Sequence, residues 1–187
     1  MINIISTDQY KTIPWKNGKG QTTELAISLN GGMDDFDWRL SIAIVVEDGL
    51  FSDFTGFERN LILLEGQGIK LIHDEKQTDL LDTPLSISSF NGKSKTKGLL
   101  LGGPIKDFNL MTRDGMYQVD VKAFIDQTEI NIGINGLCFV YSHQNKVTIS
   151  LENELVVVPI GHLVMVKDES TVEIVGKGFI LIQLSKK

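Results

Sequence analysis

The chain of 187 residues has one cysteine, four prolines, three histidines and only three arginines. A lone Cys138 excludes an internal disulfide framework and any multi-cysteine metal site, and it fits a reducing compartment. His73, His143 and His162 are scattered, with no metal-ligand spacing between any two. Long apolar runs are missing, and Leu155-Val156-Val157-Val158 is far too short to cross a bilayer. No positive stretch leads into an apolar segment over Met1-Ile2-Asn3-Ile4-Ile5-Ser6, so no signal peptide is read and a cytoplasmic location is expected. Eighteen Lys+Arg against 24 Asp+Glu give a net charge of −6, with no basic cluster. That balance argues against nucleic acid and anionic membrane surfaces as partners. The basic residues are fifteen lysines plus Arg39, Arg59 and Arg113.

What the chain does have is alternation. Apolar Trp38, Leu40, Ile42 and Ile44 alternate with Arg39, Ser41 and Ala43, and Val119, Val121 and Ala123 alternate with Asp120 and Lys122. Period two is the strand signature, and no window of a dozen residues carries a helical stripe. Turn signals such as Asp48-Gly49, Asn91-Gly92, Asn135-Gly136 and Gly176-Lys177-Gly178 separate the runs. Many short strands with glycine turns predict an all-β sandwich or barrel. A weak repeat of strand, turn and strand in the two halves predicts two tandem antiparallel barrels, residues 1–113 and 114–187. With no linker between them, the two are expected to share an interface.

The chemistry concentrates in the first half. Trp15-Lys16-Asn17-Gly18-Lys19-Gly20 is a glycine-spaced loop without the ending of a phosphate-binding loop. Arg39 and Ser41 fall on the opposite strand face from Trp38 and Leu40, the face that can line a barrel cavity. Arginine captures carboxylates with a planar fork, so all three arginines are candidate anion contacts, with structural ion pairs as the competing reading. Read at period two, Asp107, Asn109, Met111 and Arg113 share one polar face. The phenylalanines of Gly49-Leu50-Phe51-Ser52-Asp53-Phe54-Thr55-Gly56-Phe57 would anchor their loop in apolar contact. Cys138, in an apolar strand, reads as a buried small hydrophobe.

These segments, in order, resemble the HutD/Ves family of bacterial proteins. The resemblance rests on Trp15-Lys16-Asn17-Gly18-Lys19-Gly20 with Thr22 and Glu24, and on Trp38-Arg39-Leu40-Ser41. It continues through Gly49-Leu50-Phe51-Ser52 with Phe54, Gly56 and Arg59, Phe90-Asn91-Gly92, and Asp107-Phe108-Asn109-Leu110-Met111 with Arg113. It implies a bicupin, two jelly-roll barrels of the RmlC-like cupin type in one chain. Cupins commonly hold a metal on histidines and a glutamate; laid on this chain, those positions read Thr55, Phe57, Leu61 and Val164, so no metal and no cofactor are expected. The family's name links it to histidine utilisation, where members resemble accessory or regulatory proteins rather than established enzymes. Cupins often pair through sheet faces or edges, so a homodimer is compatible with the resemblance.

The leading expectation is a metal-free bicupin that binds a small carboxylate metabolite, such as formylglutamate or urocanate, in its first barrel. Arg39, Arg59 and Arg113 would contact the anion, and Asn17, Glu24, Ser41 and Asn109 would supply directional hydrogen bonds. Two alternatives stand beside it. One is a metal-independent isomerase or hydrolase using Glu24 or His73 as general base. The other is a protein-interaction or stress-related role without a ligand.

Overall fold

The computed structural model describes residues 2–15, 20–28, 35–151, 154–167 and 170–187. The chain order begins with β1 (Ile2–Ile5), a 3-10 turn at Thr7–Gln9, β2 (Lys11–Pro14), β3 (Gly20–Ile27), β4 (Trp38–Val45), β5 (Gly49–Leu50) and β6 (Phe57–Glu65). It continues with β7 (Ile69–His73), β8 (Gln77–Leu81), β9 (Ile87–Asn91), β10 (Thr96–Leu100), β11 (Ile105–Arg113) and β12 (Tyr117–Phe124). The last strands are β13 (Thr128–Ile134), β14 (Leu137–Ser142), β15 (Val147–Leu151), β16 (Glu154–Val158), β17 (Leu163–Lys167), β18 (Ser170–Gly176) and β19 (Phe179–Lys186). No helix among the described residues is long and apolar enough to cross a membrane.

The chain divides into two compact units, Tyr10–Asp114 and Gly115–Lys187 together with Met1–Gln9. In the first unit one sheet has the order β2-β3-β4-β11-β6-β9 and the other β5-β10-β7-β8. Val45, Leu61, Leu63, Ile69, Leu71, Leu81, Phe90 and Ile105, drawn from both sheets, form one buried cluster, with Trp15, Phe51 and Leu100 packed on it. In the second unit the sheets are β1-β17-β14-β19-β12 and β13-β18-β15-β16. Their buried apolar cluster includes Cys138, Val140, Ile149, Val164, Val166, Val172, Phe179 and Leu181, with Ile130 and Ile132 packed against it, and Ser142 is a buried polar residue of this unit.

One boundary differs from the sequence reading. Division at residues 1–113 assigns the first strand to the first unit, but Ile2–Ile5 pairs antiparallel with residues 163–166 of β17. The segment Asn3-Ile4-Ile5 has no local partner, and strand pairing is non-local, so short-range pattern could not place it.

Two irregularities shape the first unit. An extra residue at Leu25 shifts the β3–β4 register between Glu24 and Ala26, a β-bulge beside Glu24. Gly92 provides the other: its N–H donates to the Phe57 carbonyl at 2.7 Å and its carbonyl accepts from Phe54 N–H at 2.9 Å. A Cβ there would sit 2.2 Å from the Phe54 carbonyl oxygen, so only glycine lets β9 and the Phe54–Phe57 loop come this close. That accounts for the Phe90-Asn91-Gly92 motif.

Candidate functional site

Strand register assembles a polar patch on the inner face of the larger sheet in the first unit. Across β3, β4, β11 and β6, Glu24 lies opposite Ser41, Ser41 opposite Asn109, and Asn109 opposite Leu61. One row along, Arg39, Met111, Arg59 and Phe90 stand side by side. Side chains alternate along a strand, so Asp107, Asn109 and Met111 share this face with Arg39, Ser41 and Arg59. The leucines of the same face belong to the apolar cluster between the sheets, which places these polar groups beside an apolar interior. Arg39, Ser41, Arg59, Asp107 and Asn109 are all buried.

Arg59 is the centre of the patch. Its Cζ lies 5.4 Å from the ring centroids of Phe51 and Phe54 and 5.1 Å from that of Phe90. Cations are attracted to aromatic faces at such distances, and phenylalanines supply no hydrogen bond to the guanidinium. Its Nη2 donates to Asn109 Oδ1 at 3.0 Å, and Asn109 Nδ2 in turn donates to Asp107 Oδ1. Two buried polar atoms have no partner among the described residues: Arg59 Nε and Asp107 Oδ2. A buried group left unpaired costs roughly 1–3 kcal/mol, more when charged.

Burial also moves both titrations. It draws the Arg59 guanidinium down to about 10, opposed by the charge of Asp107, so the side chain stays cationic at neutral pH. It pushes the Asp107 carboxyl up to about 7, opposed by the Asn109 hydrogen bond and by Arg59.

The other predicted residues distribute differently. Arg39 Nε donates to Glu24 Oε2 at 2.9 Å, so these two occupy each other. Arg113 is not brought to the patch. It is tied to Asp35 at 2.7 Å, to Asp37 at 3.4 Å and to the Phe36 carbonyl at 2.9 Å, with the Phe57 ring 5.3 Å away. It fastens the segment before β4, and two carboxylates already answer its charge. Asn17 lies outside the described residues.

His73 is buried and both ring nitrogens are engaged: Nδ1 lies 2.9 Å from Thr96 Oγ1 and Nε2 3.3 Å from Asp79 Oδ2. Asp79 also accepts from Ser88, and the Phe90 ring lies against the His73 ring at 4.6 Å. Burial would raise the Asp79 carboxyl, but hydrogen bonds from Ser88 and Gln77 and the nearby His73 hold it below its ordinary value. A cavity of about 470 Å³ opens beside this group, lined by His73, Phe90, Glu58, Asp74 and Lys76 among others. None of the predicted anion contacts lines it, although Phe90 reaches both it and Arg59.

In the first unit the cupin metal positions Thr55, Phe57 and Leu61 offer a single hydroxyl, and in the second Val164 offers none, so neither donor set fits a divalent metal. Among the described residues no group of three or more His, Cys, Asp or Glu side chains gathers. Cys138 is fully buried, and burial pushes its thiol up to about 12, which disfavours the thiolate.

Sequence reasoning places Asn109 and Arg59 at the site but passes over Asp107 and the aromatic surround. Period two already puts Asp107 on the Asn109 face; what it lacks is the desolvation that makes this carboxyl unusual. The approach of Phe51, Phe54 and Phe90 to one guanidinium is a tertiary event with no local signal.

Two all-β units in tandem, each built of two antiparallel sheets, define a bicupin. Structural similarity agrees: a cupin 2 conserved barrel domain protein from Leptotrichia buccalis shares the fold alone, with a TM-score of 0.56 at 8% identity over 95% of this chain and 96% of that one. The HutD family model matches residues 7–182, and the chain belongs to the HutD family. It is 37% identical over 123 residues to an uncharacterised 21.2 kDa protein in the hutC 3' region of Pseudomonas putida, covering 66% of this chain and 64% of that protein. It is 35% identical over 123 residues to protein Ves of Escherichia fergusonii, covering 65% and 63%. The chain thus spans a little under two thirds of the length of these curated relatives. Over nearly its whole length it superposes on a conserved protein of unknown function from Pseudomonas aeruginosa PAO1, with a TM-score of 0.88, 27% identity and 99% of each chain covered. HutD from Pseudomonas fluorescens SBW25 is similar across both full chains, with a TM-score of 0.84 and 28% identity.

Proposed function

We propose that the protein binds a small carboxylate metabolite in its first unit and acts as an accessory or regulatory component of histidine utilisation. The observation that carries this reading is Arg59, a buried cation whose Nε has no partner and whose charge is surrounded by three aromatic rings. A carboxylate would satisfy both the hydrogen bond and the charge, and arginine recognises that group through parallel N–H donors. Asn109 orients the guanidinium, Ser41 lies in the adjacent row, and Arg39 with Glu24 closes the far side of the patch. Arg113 drops out of the anion contacts because Asp35 and Asp37 hold it.

The metabolic setting comes from kinship: the Pseudomonas putida relative lies in the hutC 3' region, and the Pseudomonas fluorescens neighbour is a HutD, determined in a formate condition. N-formylglutamate and urocanate are the ligands to try first. A binding role is favoured over turnover because both suggested general bases are occupied, Glu24 by Arg39 and His73 by Thr96 and Asp79.

The test is a thermal-shift and calorimetry series with these carboxylates. A ligand at a hundredfold excess over its dissociation constant stabilises the protein by about 2.7 kcal/mol. Arg59→Met abolishes that shift, whereas Lys146→Ala, at an exposed position of the second unit, preserves it. Undiminished affinity in Arg59→Met would overturn the assignment.

A further inference from the structure

The Asn109 amide holds a neighbour at each end. Its oxygen accepts from Arg59 Nη2 and its nitrogen donates to Asp107 Oδ1, which fixes Oδ1 as an acceptor. Any proton on the Asp107 carboxyl therefore sits on Oδ2, the atom without a partner. A carboxylic acid in that arrangement is a donor, and Arg59 Nε is the second unpartnered donor of the same patch. Two donors joined through one rigid amide suit an anion that accepts from both.

We infer that Asp107 is a ligand-binding residue of this site that engages the carboxylate as a neutral acid, so that the anion is taken up together with one proton. The inference rests on the carboxylate reading of the Arg59 site. An ionised Asp107 would repel the same ligand, so the proton is what makes this site selective for a carboxylate over its carboxamide.

The charges on the surrounding elements leave Asp107 as the group that takes the proton. From β6 comes Arg59, from β4 and β3 the mutually paired Arg39 and Glu24, and from β7 and β8 His73 with Asp79. On β11 itself Arg113 is held by Asp35 and Asp37. Among the described residues Arg59 is the charge that bears directly on Asp107, and burial outweighs it, leaving Asp107 poised near neutrality at about 7.

N-formylglutamate is a suitable probe because its own carboxyls are fully ionised across the range used. Its affinity for the wild-type protein falls about 25-fold between pH 6.5 and 8.5, the change expected when one site titrating near 7 must be protonated to bind. Calorimetry at pH 8 in two buffers of different ionisation enthalpy reads close to one proton taken up per ligand. The corresponding carboxamide binds far more weakly at pH 6.5. In Asp107→Asn the side-chain oxygen still accepts from Asn109 and an NH₂ donor stands where Oδ2 was, so affinity becomes the same at the two pH values.

Wild-type binding that is flat in pH and without proton uptake would overturn this inference while leaving the carboxylate reading intact. A pH dependence that survives in Asp107→Asn would also overturn it, by assigning the proton to another group such as His73. Failure of the wild type to bind any carboxylate at pH 6.5 would instead sink the underlying reading, and this inference with it.

Discussion

Arg59 and Asp107 face one another through the Asn109 amide, each drawn toward its neutral form by burial and toward its charged form by the other. The consequence for stability follows from where the proton is bound. Asp107 holds its proton more tightly in the folded chain than in the unfolded one, whose carboxyl titrates near its ordinary value of 3.8. Between about pH 4 and pH 7 the folded state therefore carries the extra proton, and stability falls as pH rises through that window, levelling above it. A change of this size corresponds to roughly 4 kcal/mol at most. Asp107→Asn keeps the neutral shape and cannot ionise, so the variant gains on the wild type as pH rises. Urea unfolding at pH 5 and pH 8 should show a stability gap between the two proteins that widens by a few kcal/mol at the higher pH. A gap independent of pH would place the carboxyl proton elsewhere.

At the level of elements, the site depends on two backbone devices. The bulge at Leu25 lengthens β3 by one residue beside Glu24, the residue that receives Arg39. Gly92 lets the end of β9 dock on the loop that carries Phe54. Gly92→Ala would force its Cβ against the Phe54 and Phe57 carbonyl oxygens, which lie at 2.2 and 2.8 Å from the ideal position. Neither is the movable tip of a side chain, so the expected loss is about 2 kcal/mol or more. Displacing Phe54 also uncovers Arg59, so carboxylate affinity falls with stability. Gly49→Ala is the contrast, since nothing lies within 4 Å of its Cβ, and its melting temperature should stay within about a degree or two of wild type. Equal effects of the two substitutions would mean that close backbone approach at Gly92 does not hold this loop in place.

Across the whole molecule, the two units share an architecture but not an interior. The second is closed by valine, isoleucine, leucine and phenylalanine, and all three arginines fall in the first. The carboxylate reading therefore predicts one ligand per chain, measurable as a calorimetric stoichiometry of one; two equivalent sites would contradict it. Alternation of apolar and polar residues was enough to announce an all-β chain, to put Arg39 and Ser41 on the face opposite Trp38 and Leu40, and to align Asp107 with Asn109, because side-chain direction along a strand depends only on position parity. The order of short motifs was enough to point to the HutD family. Local pattern could not reveal that Ile2–Ile5 pairs with Leu163–Val166, far along the chain, nor that Arg113 is spent on Asp35 and Asp37. It could not show that three phenylalanines converge on Arg59 or that Asp107 loses its water. Pairing, ion-pair partners and desolvation are set by segments far apart in the chain, and they come into being only when the sheets close on one another.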